Sequence, residues 1–558
     1  MSNPEVTRGE RVQTSERTGR RLAGAAGIMM GSIMLSRILG LARDAIISGK
    51  LGQGDASDVY MAAFLLPDTL FFLIAGGALS SAFIPVFTEF LAKGEPNKAW
   101  DLFSSIATIM FVAVGAAIAL GFTFAGPLVA LLAYGFDARL IDQIVPLTRI
   151  LLPAQLCFFL GGLMMGAQQA RGRFLIAGMG PNIYNVGIIL GGLLLADWLG
   201  AAGFCWGALI GAVAGNFALQ VWGVARTGGR YHVSFDWRNP ATKRVWKLML
   251  PVIFGLALPQ VSIILNRIFA TMLDTPGPVS ALTRANTLMQ APLALFGQSL
   301  SIAVFPTLAA QAALKEWRSF GATISLGMRY VMVLTLPSAA LLLVLGRPIV
   351  TILLEHGRFT RSDTIQTTIA LSYYALGLAA WSAQAVLARA FYALQDTRTP
   401  VIIGTAVTLV FIPMNFLFMR TFRMGHGGLA LATTVAAAMN ASAMLLFLHQ
   451  RIAGLSGIGG GDVMELRRLA NAGIRATIGA AAAAVAAFLV AYSAGHLVST
   501  ATVLLAPKVE AGVLLLCGGG VGSLVYIAAI HVLGLRELSE LTRLLRRRRS
   551  QHPSTSVP

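Results

Sequence analysis

The sequence contains little charge. Asp, Glu, Lys and Arg make up 12% of its 558 residues, whereas soluble globular proteins average about 25%. Hydrophobic residues account for 56%, and the mean hydropathy is +0.72. Such scarce polar surface excludes a string of soluble domains. Apolar runs recur from about 22 to 533, each long enough to cross a bilayer about 30 Å thick, so we expect an all-α, polytopic integral membrane protein.

Residues that usually build disulfides, metal sites and catalytic centres are also scarce. The three cysteines, Cys157, Cys205 and Cys517, lie in separate apolar runs and are expected to be buried free thiols. The seven histidines form no pair at the spacing typical of metal ligands, and no nucleophile–base motif is present. These absences predict a protein without a metal or cofactor, and they argue against an enzyme.

Gly, Pro and charge clusters divide the apolar sequence into about fourteen spans. Their approximate limits are 22–49, 57–90, 100–125, 139–168, 174–197, 200–225, 245–273, 279–312, 322–345, 364–393, 399–419, 427–449, 470–493 and 509–534. Two further apolar pieces, near 127–136 and 347–354, are too short to span a membrane and are expected at its interface.

A weak internal repeat suggests how the spans are grouped. Residues 167–173 (AQQARGR), after the fourth span, resemble 393–399 (ALQDTRT), after the tenth. An offset of six helices is typical of transporters that bind a substrate between two lobes, although a chance match is the alternative. The predicted organisation is a tail at 1–21, six-helix lobes at 22–226 and 227–450, a linker at 451–469, two added spans at 470–534 and a basic tail at 535–558.

The net charge of +19 is best explained by membrane orientation. Loops on the N-terminal side of the spans carry 26 of the 43 basic residues, and loops on the other side carry eight. Because Lys and Arg concentrate in cytoplasmic loops, both termini are predicted to be cytoplasmic, and nucleic-acid binding is not expected. The C-terminal segment 535–549 is typical of either a solvated basic tail or one that binds anionic membrane lipids.

Two of the nine remaining basic residues lie within the first span. An arginine at mid-bilayer costs about 2.5–3.5 kcal/mol on insertion scales unless a partner or water is present. At about 100° per residue, an arc of about 120° holds the polar or small residues of this helix; they are Ser36, Arg37, Gly40, Arg43 and Asp44. This pattern predicts a cavity-lining face with a functional cation site. The alternative is a local ion pair with Asp44, but one carboxylate cannot neutralise two guanidinium groups.

The seventh and eighth spans repeat this arrangement. Arg267 follows Gln260 by seven residues, and Arg284 lies in the next span. If the lobes are pseudosymmetric, these arginines approach Arg37 and Arg43 at one cavity. Arginine stays charged when desolvated and donates paired hydrogen bonds to phosphate. The expected cargo is therefore an anionic, phosphorylated amphiphile.

Two other sets of residues in the spans are expected to be structural. Some cations can extend from helix ends to water; they are Lys247, Arg329, Arg389 and Arg475. Glycines at small-xxx-small spacing permit close contact between helices; they are Gly187, Gly191, Gly207, Gly211 and Gly215.

Several motifs closely resemble those of the MurJ (MviN) family. They are 36–45 (SRILGLARDA), Asp58, 66–67 (LP), 81–85 (SAFIP), 355–360 (EHGRFT) and 391–400 (FYALQDTRTP). The resemblance covers about 25–450, and the last two spans fit the extra helix pair of that family. It implies the fold of the multidrug/oligosaccharidyl-lipid/polysaccharide exporter superfamily. It also implies a flippase that moves lipid II, the undecaprenyl-pyrophosphate-linked peptidoglycan precursor, from the inner to the outer leaflet of the bacterial inner membrane. By resemblance, Ser36, Arg37, Arg43 and Asp58 match positions important for transport.

The sequence departs from the family pattern where charged residues are usual. Neutral residues replace a basic pair, a glutamate and an Asp-Arg-Glu set; they are Phe71, Phe72, Gly76, Asn286, Thr287 and Gln290. Because three cations and three anions are lost together, we expect ion-pair networks to have been exchanged for neutral contacts.

Energy coupling is inferred from the resemblance alone. Carboxylates that resemble a sodium site in some members are replaced here by Asn266 and Asn415, with only Thr433 retained. Sodium coupling is therefore not expected, and the resemblance implies dependence on the membrane potential.

Three functions remain open. The primary hypothesis is a lipid II flippase working by alternating access, with Arg37 and Arg43 holding the pyrophosphate and Arg267 and Arg284 as further candidates. The lost charges leave open an exporter of another polyprenyl-linked glycan, which would need the same cation site. A non-transporting scaffold that binds wall-synthesis enzymes would tolerate neutral cavity residues but would require an exposed partner surface.

Overall fold

The computed structural model describes residues 31–32, 34–74, 78–273, 277–456, 464–500 and 507–535. Side chains at 72–74, 78–81, 250–263 and 497–500 are not described. Several predictions concern positions or side chains outside this description. They are those for both terminal tails, the centre of the linker, Phe72, Gly76 and Gln260. Within the described ranges, every regular element is a helix.

The chain forms two compact units. The first extends to Met272 and includes His356–Phe359. Its helices are α1 (34–51), α2 (Asp55–Ala63), α3 (Leu65–Ile74), α4 (Ala78–Ala92), α5 (Pro96–Thr123), α6 (Ala125–Leu132), α7 (Ala138–Leu151), α8 (Ala154–Ala170), α9 (Phe174–Leu194), α10 (Ala196–Leu199), α11 (Ala201–Gly211), α12 (Leu219–Arg226) and α13 (Pro240–Thr271). A π-helical segment, Ala212–Ala218, joins α11 to α12.

The second unit contains Leu273–Glu355 and the chain from Thr360 onward. Its helices are α14 (Pro278–Pro292), α15 (Ser299–Ala313), α16 (Trp317–Leu354), α17 (Arg361–Leu376), α18 (Leu378–Ala393), α19 (Arg398–Phe416), α20 (Gly425–Ser456), α21 (Leu466–Thr500) and α22 (Pro507–Val532). π-Helical segments follow α14 and α19, at Leu293–Gln298 and Leu417–Thr421. The prediction of two six-helix lobes is based on the sequence repeat. The division into two compact units does not test it, so it stays a prediction.

The predicted polytopic helical architecture is confirmed. In the described part of the chain, ten helical stretches are long and apolar enough to cross a membrane, and the bent pair α17–α18 makes an eleventh. Each coincides with a predicted span to within a few residues at most ends. The three other predicted spans, 22–49, 57–90 and 245–273, include undescribed residues or side chains, so the count of fourteen stays a prediction.

The two short apolar pieces have different outcomes. The first piece, near 127–136, overlaps the short helix α6, which ends at Leu132; its place at the interface stays a prediction. Residues 347–354 form the last two turns of α16, which continues through Pro348, and their place at the interface stays a prediction. Val350 and Leu354 are buried there, at 0% and 3% exposure, so packing holds this end of the helix in place.

The cores of the two units are built differently. In the first unit, aromatic rings from α4 and α5 meet edge to face, with Trp100 5.3 Å from Phe87 and 5.4 Å from Phe103 between ring centroids. In the second, the two C-terminal helices pack on α16 through alanines. The hydroxyl of Tyr526 on α22 donates to the carbonyl oxygen of Val333 at 2.6 Å, which fixes the added helix pair to that unit.

The two segments that form the internal repeat are both helix ends. Gly172 and Gln395 have positive φ angles, and the amide that follows each of them donates to a carbonyl five residues earlier. This is the Schellman cap. The backbone therefore makes residues 172 and 395 equivalent. The sequence similarity instead aligned Gln395 with Gln169, which still lies within α8, so the two alignments differ by three residues.

One cysteine prediction is wrong. Cys157 and Cys205 are buried free thiols as expected, but Cys517 is exposed. It lies on the outward side of α22, where an apolar side chain faces lipid as readily as core.

Close contact between α9 and α11 confirms the predicted role of the glycines. A methyl group added at Gly191 would lie 2.5 Å from the carbonyl oxygen of Gly203 and 2.6 Å from the Cα of Gly207. At Gly187, it would lie 2.6 Å from the Cα of Gly211. The backbones of these helices therefore pack with no space for side chains at the crossing.

We predict that Gly191→Val destabilises the protein by about 1–3 kcal/mol, because the helices must separate to admit the side chain. The measurement is thermal unfolding of the purified protein in detergent. Gly115→Val in α5 is the control, since no atom lies within 4 Å of a methyl group there. Equal melting temperatures for the two variants would contradict this account of the crossing.

Candidate functional site

The first unit presents Arg37 as an exposed cation on α1. Among the described residues, no hydrogen bond or ion pair involves the Arg37 side chain. A methyl group on Gly40, one turn away, would meet no atom within 4 Å. The predicted polar arc of α1 thus borders open space at its Arg37 end.

Arg43 lies on the same arc and is held by two partners. Its Nε and Nη2 donate to Oδ1 of Asp44 at 2.9 and 2.8 Å, and its Nη1 donates to Oδ1 of Asn185 at 3.1 Å. The Arg43 side chain retains 28% exposure. Asp44 therefore neutralises one guanidinium group, as the alternative interpretation proposed, and this leaves Arg37 uncompensated.

Helix α9 supplies a second wall that the sequence interpretation missed. The amide nitrogen of Asn185 lies 3.4 Å from the Ser36 hydroxyl and also donates to the carbonyl of Pro181 at 3.1 Å. One turn earlier, Nδ2 of Asn182 donates to the Ser32 hydroxyl at 2.8 Å. The sequence did contain a signal for this contact: two asparagines lie three residues apart within an apolar span, and buried amides need hydrogen-bond partners.

Asp58 lies in the first helical turns of α2 and is 2% exposed. A carboxylate there is favoured by the unsatisfied amides at a helix N-terminus. The backbone amide of Asp58 donates to the Gly54 carbonyl at 2.9 Å. The next two residues, Val59 and Tyr60, belong to the same buried cluster as Ile47 on α1, which ties α2 to the helix that carries the arginines.

Arg267 on α13 pairs with an acid that the sequence interpretation had left without a role. Its Nη1 lies 3.2 Å from Oδ2 of Asp68 on α3. Both side chains are partly exposed, at 25% and 39%. One turn after Asp68, Phe71 packs against Phe158 and Phe159, with ring centroids 6.3 and 5.6 Å apart. A ring contact therefore occupies a position where the family usually has a charge.

Arg284 belongs to the second unit, where it lies on α14 with 2% exposure. The neutral residues that follow it bond locally. Gln290 donates to Oδ1 of Asn286 at 2.7 Å, and the Thr287 hydroxyl donates to the Thr283 carbonyl at 3.0 Å. The second set of lost charges is thus replaced by hydrogen bonds within one helix.

The positions that resemble a sodium site hold neutral groups. Asn415 is fully buried and donates to the Phe411 carbonyl at 2.8 Å. The Thr433 hydroxyl donates to the Leu429 carbonyl at 2.8 Å. Across the described residues, no cluster of three His, Cys, Asp or Glu side chains is placed to hold a metal ion.

Motif 355–360 forms a helix connection. The Arg358 amide donates to the carbonyl of Gly49 at the end of α1, at 2.7 Å. Gly357 has φ 61°, and a Cβ there would lie within 2.1 Å of the Gly49 carbonyl oxygen. Only glycine fits this approach, which explains its place in the motif.

A profile of the family described as lipid II flippase MurJ matches residues 47–504. The chain belongs to this family. A probable lipid II flippase MurJ from Vibrio cholerae is 30% identical over 466 residues, covering 81% of this chain and 87% of the relative. The lipid II flippase MurJ of Burkholderia cenocepacia is 30% identical over 433 residues, covering 76% and 83%.

Solved structures show the same fold. A lipid II flippase MurJ in an inward closed conformation matches with a TM-score of 0.71 at 22% identity, covering 90% of this chain and 98% of that one. An inward-facing multidrug resistance MATE family transporter of the MOP superfamily matches with a TM-score of 0.63 at 13% identity, covering 78% and 100%. The chain therefore has the fold of these transporters and belongs to a family of transporters, not enzymes.

We predict that Asp68 and Arg267 are energetically coupled. Arg267→Gln alone leaves the Asp68 carboxylate without its partner and should cost about 1–2 kcal/mol, between the values of exposed and buried pairs. Adding Asp68→Asn should recover most of that loss. A double-mutant cycle on thermal unfolding measures the coupling, and additive effects of the two changes would contradict the pairing.

Proposed function

We propose that this protein is a lipid II flippase. It translocates the undecaprenyl-pyrophosphate-linked precursor from the inner to the outer leaflet by alternating access, and Arg37 and Arg43 bind the pyrophosphate. The single observation that carries the site assignment is Arg37, an exposed guanidinium on a membrane helix without a described protein partner. Such a group is costly in a bilayer unless an anion or water compensates it.

Arg43 has a complementary role in this proposal. Asp44 and Asn185 fix three of its donors, so its guanidinium is oriented before cargo arrives. A fixed donor loses little side-chain entropy on binding, which favours affinity. Arg37 supplies the uncompensated charge, while Arg43 supplies a positioned group one to two turns away.

Arg267 and Arg284 are further candidates for the same cargo. Arg267 shares its charge with Asp68 at 3.2 Å, so its net attraction for phosphate is weaker than that of Arg37. Arg284 is deeply buried in α14 and reaches cargo only if the second unit opens. We therefore rank both below the pair on α1.

Family membership supports the choice of cargo, because curated relatives at 30% identity carry the name lipid II flippase MurJ. We place the protein in the bacterial inner membrane with both termini cytoplasmic, fourteen spans and two six-helix lobes that rock about the cargo. With asparagines at the sodium-like positions, the membrane potential acting on the cavity cations is the proposed energy source.

One observation favours a second candidate, the export of another polyprenyl-linked glycan. At four of the six positions that lost a family charge, Phe71 packing and local hydrogen bonds take its place, and these changes leave the α1 arginines in position. Expression in a cell depleted of its lipid II flippase separates the two functions. Restored growth and outer-leaflet lipid II support the flippase, and failure with normal membrane abundance supports the other glycan.

We predict that Arg37→Ala lowers lipid II exposure at the outer leaflet by about tenfold or more, since a charged hydrogen bond to phosphate is lost. Combining it with Arg43→Ala should abolish rescue of depleted cells. Arg475→Ala is the matched control, because the described partner of that arginine is the Leu533 carbonyl just after α22, at 3.1 Å. Normal rescue by the double variant at native abundance would refute the site.

We predict that Asn185→Ala lowers flipping by about threefold to tenfold, because Arg43 loses one of its two orienting partners. Asn182→Ala is the control: it removes a similar amide from α9 that contacts Ser32 and not Arg43. Both variants should be equally abundant in the membrane. Equal loss of flipping in the two would show that α9 packing, and not the orientation of Arg43, limits transport.

A further inference from the structure

An extended segment of the first unit, residues 227–239, lies along a membrane helix; we call it the strap. It joins α12 to α13 and is held on α5 by hydroxyl groups. The Ser104 hydroxyl accepts from the His232 amide at 3.3 Å, and the Thr108 hydroxyl accepts from the Ser234 amide at 3.3 Å. The Tyr231 hydroxyl lies 3.2 Å from that of Thr108. The backbone of the strap is therefore ordered by a helix and not by a strand partner.

Both ends of the strap are also fixed. At its start, a guanidinium nitrogen of Arg171 donates to the Thr227 carbonyl. At its end, the Asp236 carboxylate accepts from the Asn239 amide at 3.0 Å. The Trp237 ring stacks on Trp246 with centroids 5.9 Å apart. A segment pinned at three places presents a defined outer surface.

That outer surface is apolar and aromatic. Four large side chains are more than half exposed: Tyr231 57%, Val233 72%, Phe235 55% and Trp237 53%. The strap contacts α5 at Ser104, Ser105 and Thr108, just after the charged first turns of a helix that has no charged residue from Leu102 onward. Aromatic residues at such a boundary are typical of the headgroup level of a bilayer.

Cations surround this apolar surface without acidic partners. Four exposed side chains have no Asp or Glu within ion-pair distance among the described residues: Arg226, Arg230, Arg238 and Lys243. The neighbouring Arg244 differs, since it pairs with Glu89 at 2.7 Å, and Asp236 is engaged by strap amides. A second exposed carboxylate, Asp101, lies 3.8 Å from Nε2 of His232 on the strap, so the four cations outnumber the two nearby anions and the surface is positive.

We propose that the strap and its flanking cations bind anionic phospholipids of the adjacent leaflet. The aromatic side chains enter the boundary between headgroups and acyl chains, and Arg226, Arg230, Arg238 and Lys243 contact lipid phosphates. Anionic lipid fits better than an acidic protein or a nucleic acid because the apolar surface continues into the start of a membrane span. Such lipid binding is independent of the cargo that the protein carries.

The test uses the full chain in nanodiscs with a fluorophore at position 233. Val233→Cys provides the attachment site, and Cys517→Ala removes the exposed native thiol, while Cys157 and Cys205 are buried. Quenching by brominated phosphatidylglycerol is compared with quenching by brominated phosphatidylcholine at equal mole fraction. We expect stronger quenching by phosphatidylglycerol, a preference that fades as salt is raised.

The charge-loss variant combines R226Q, R230Q and R238Q. Each cation near an anionic surface contributes about 1 kcal/mol, which corresponds to about a fivefold change, so the preference should disappear. The control combines R173Q, K315Q and R318Q, three exposed cations outside the strap, and should keep it. Absence of quenching by either lipid, a salt-insensitive preference, or equal loss of preference in both triple variants would overturn the proposal.

Discussion

The cost of placing a guanidinium group in a bilayer constrains this structure more than any other interaction. The two arginines of α1 resolve it in different ways. Arg43 is satisfied within the protein by Asp44 and Asn185, whereas Arg37 remains exposed without a described partner. Because a paired arginine contributes little net charge and an unpaired one attracts anions strongly, the asymmetry between them organises the proposed site.

The packing around α1 serves that arrangement. Asn185 reaches Ser36 and Arg43 from α9, and α9 is itself held against α11 by a glycine crossing that admits no side chain. The position of the Asn185 amide therefore depends on the contacts that α9 makes with α11. Membrane helices have little hydrophobic driving force between them, so such close backbone contact is what fixes their positions.

The departures from the family pattern follow one rule at the positions that the structure describes. Where charges are lost, the structure supplies local neutral contacts: Phe71 packs on two rings of α8, and Gln290 bonds Asn286 within α14. Exchanging a buried ion-pair network for neutral packing need not cost stability. The α1 cations were not exchanged in this way, which is the reason to assign them, and not the replaced positions, to the cargo.

Hydropathy alone was sufficient to place eleven spans, because an apolar run of about 20 residues has no other stable state in lipid. The polar arc of α1 was also readable, since helical geometry fixes which residues share a face. Sequence spacing did not reveal that Arg43 bonds Asn185, that Arg267 bonds Asp68, or that α16 continues through 347–354. Those contacts join residues up to 199 positions apart, and only tertiary packing determines which distant side chains become neighbours.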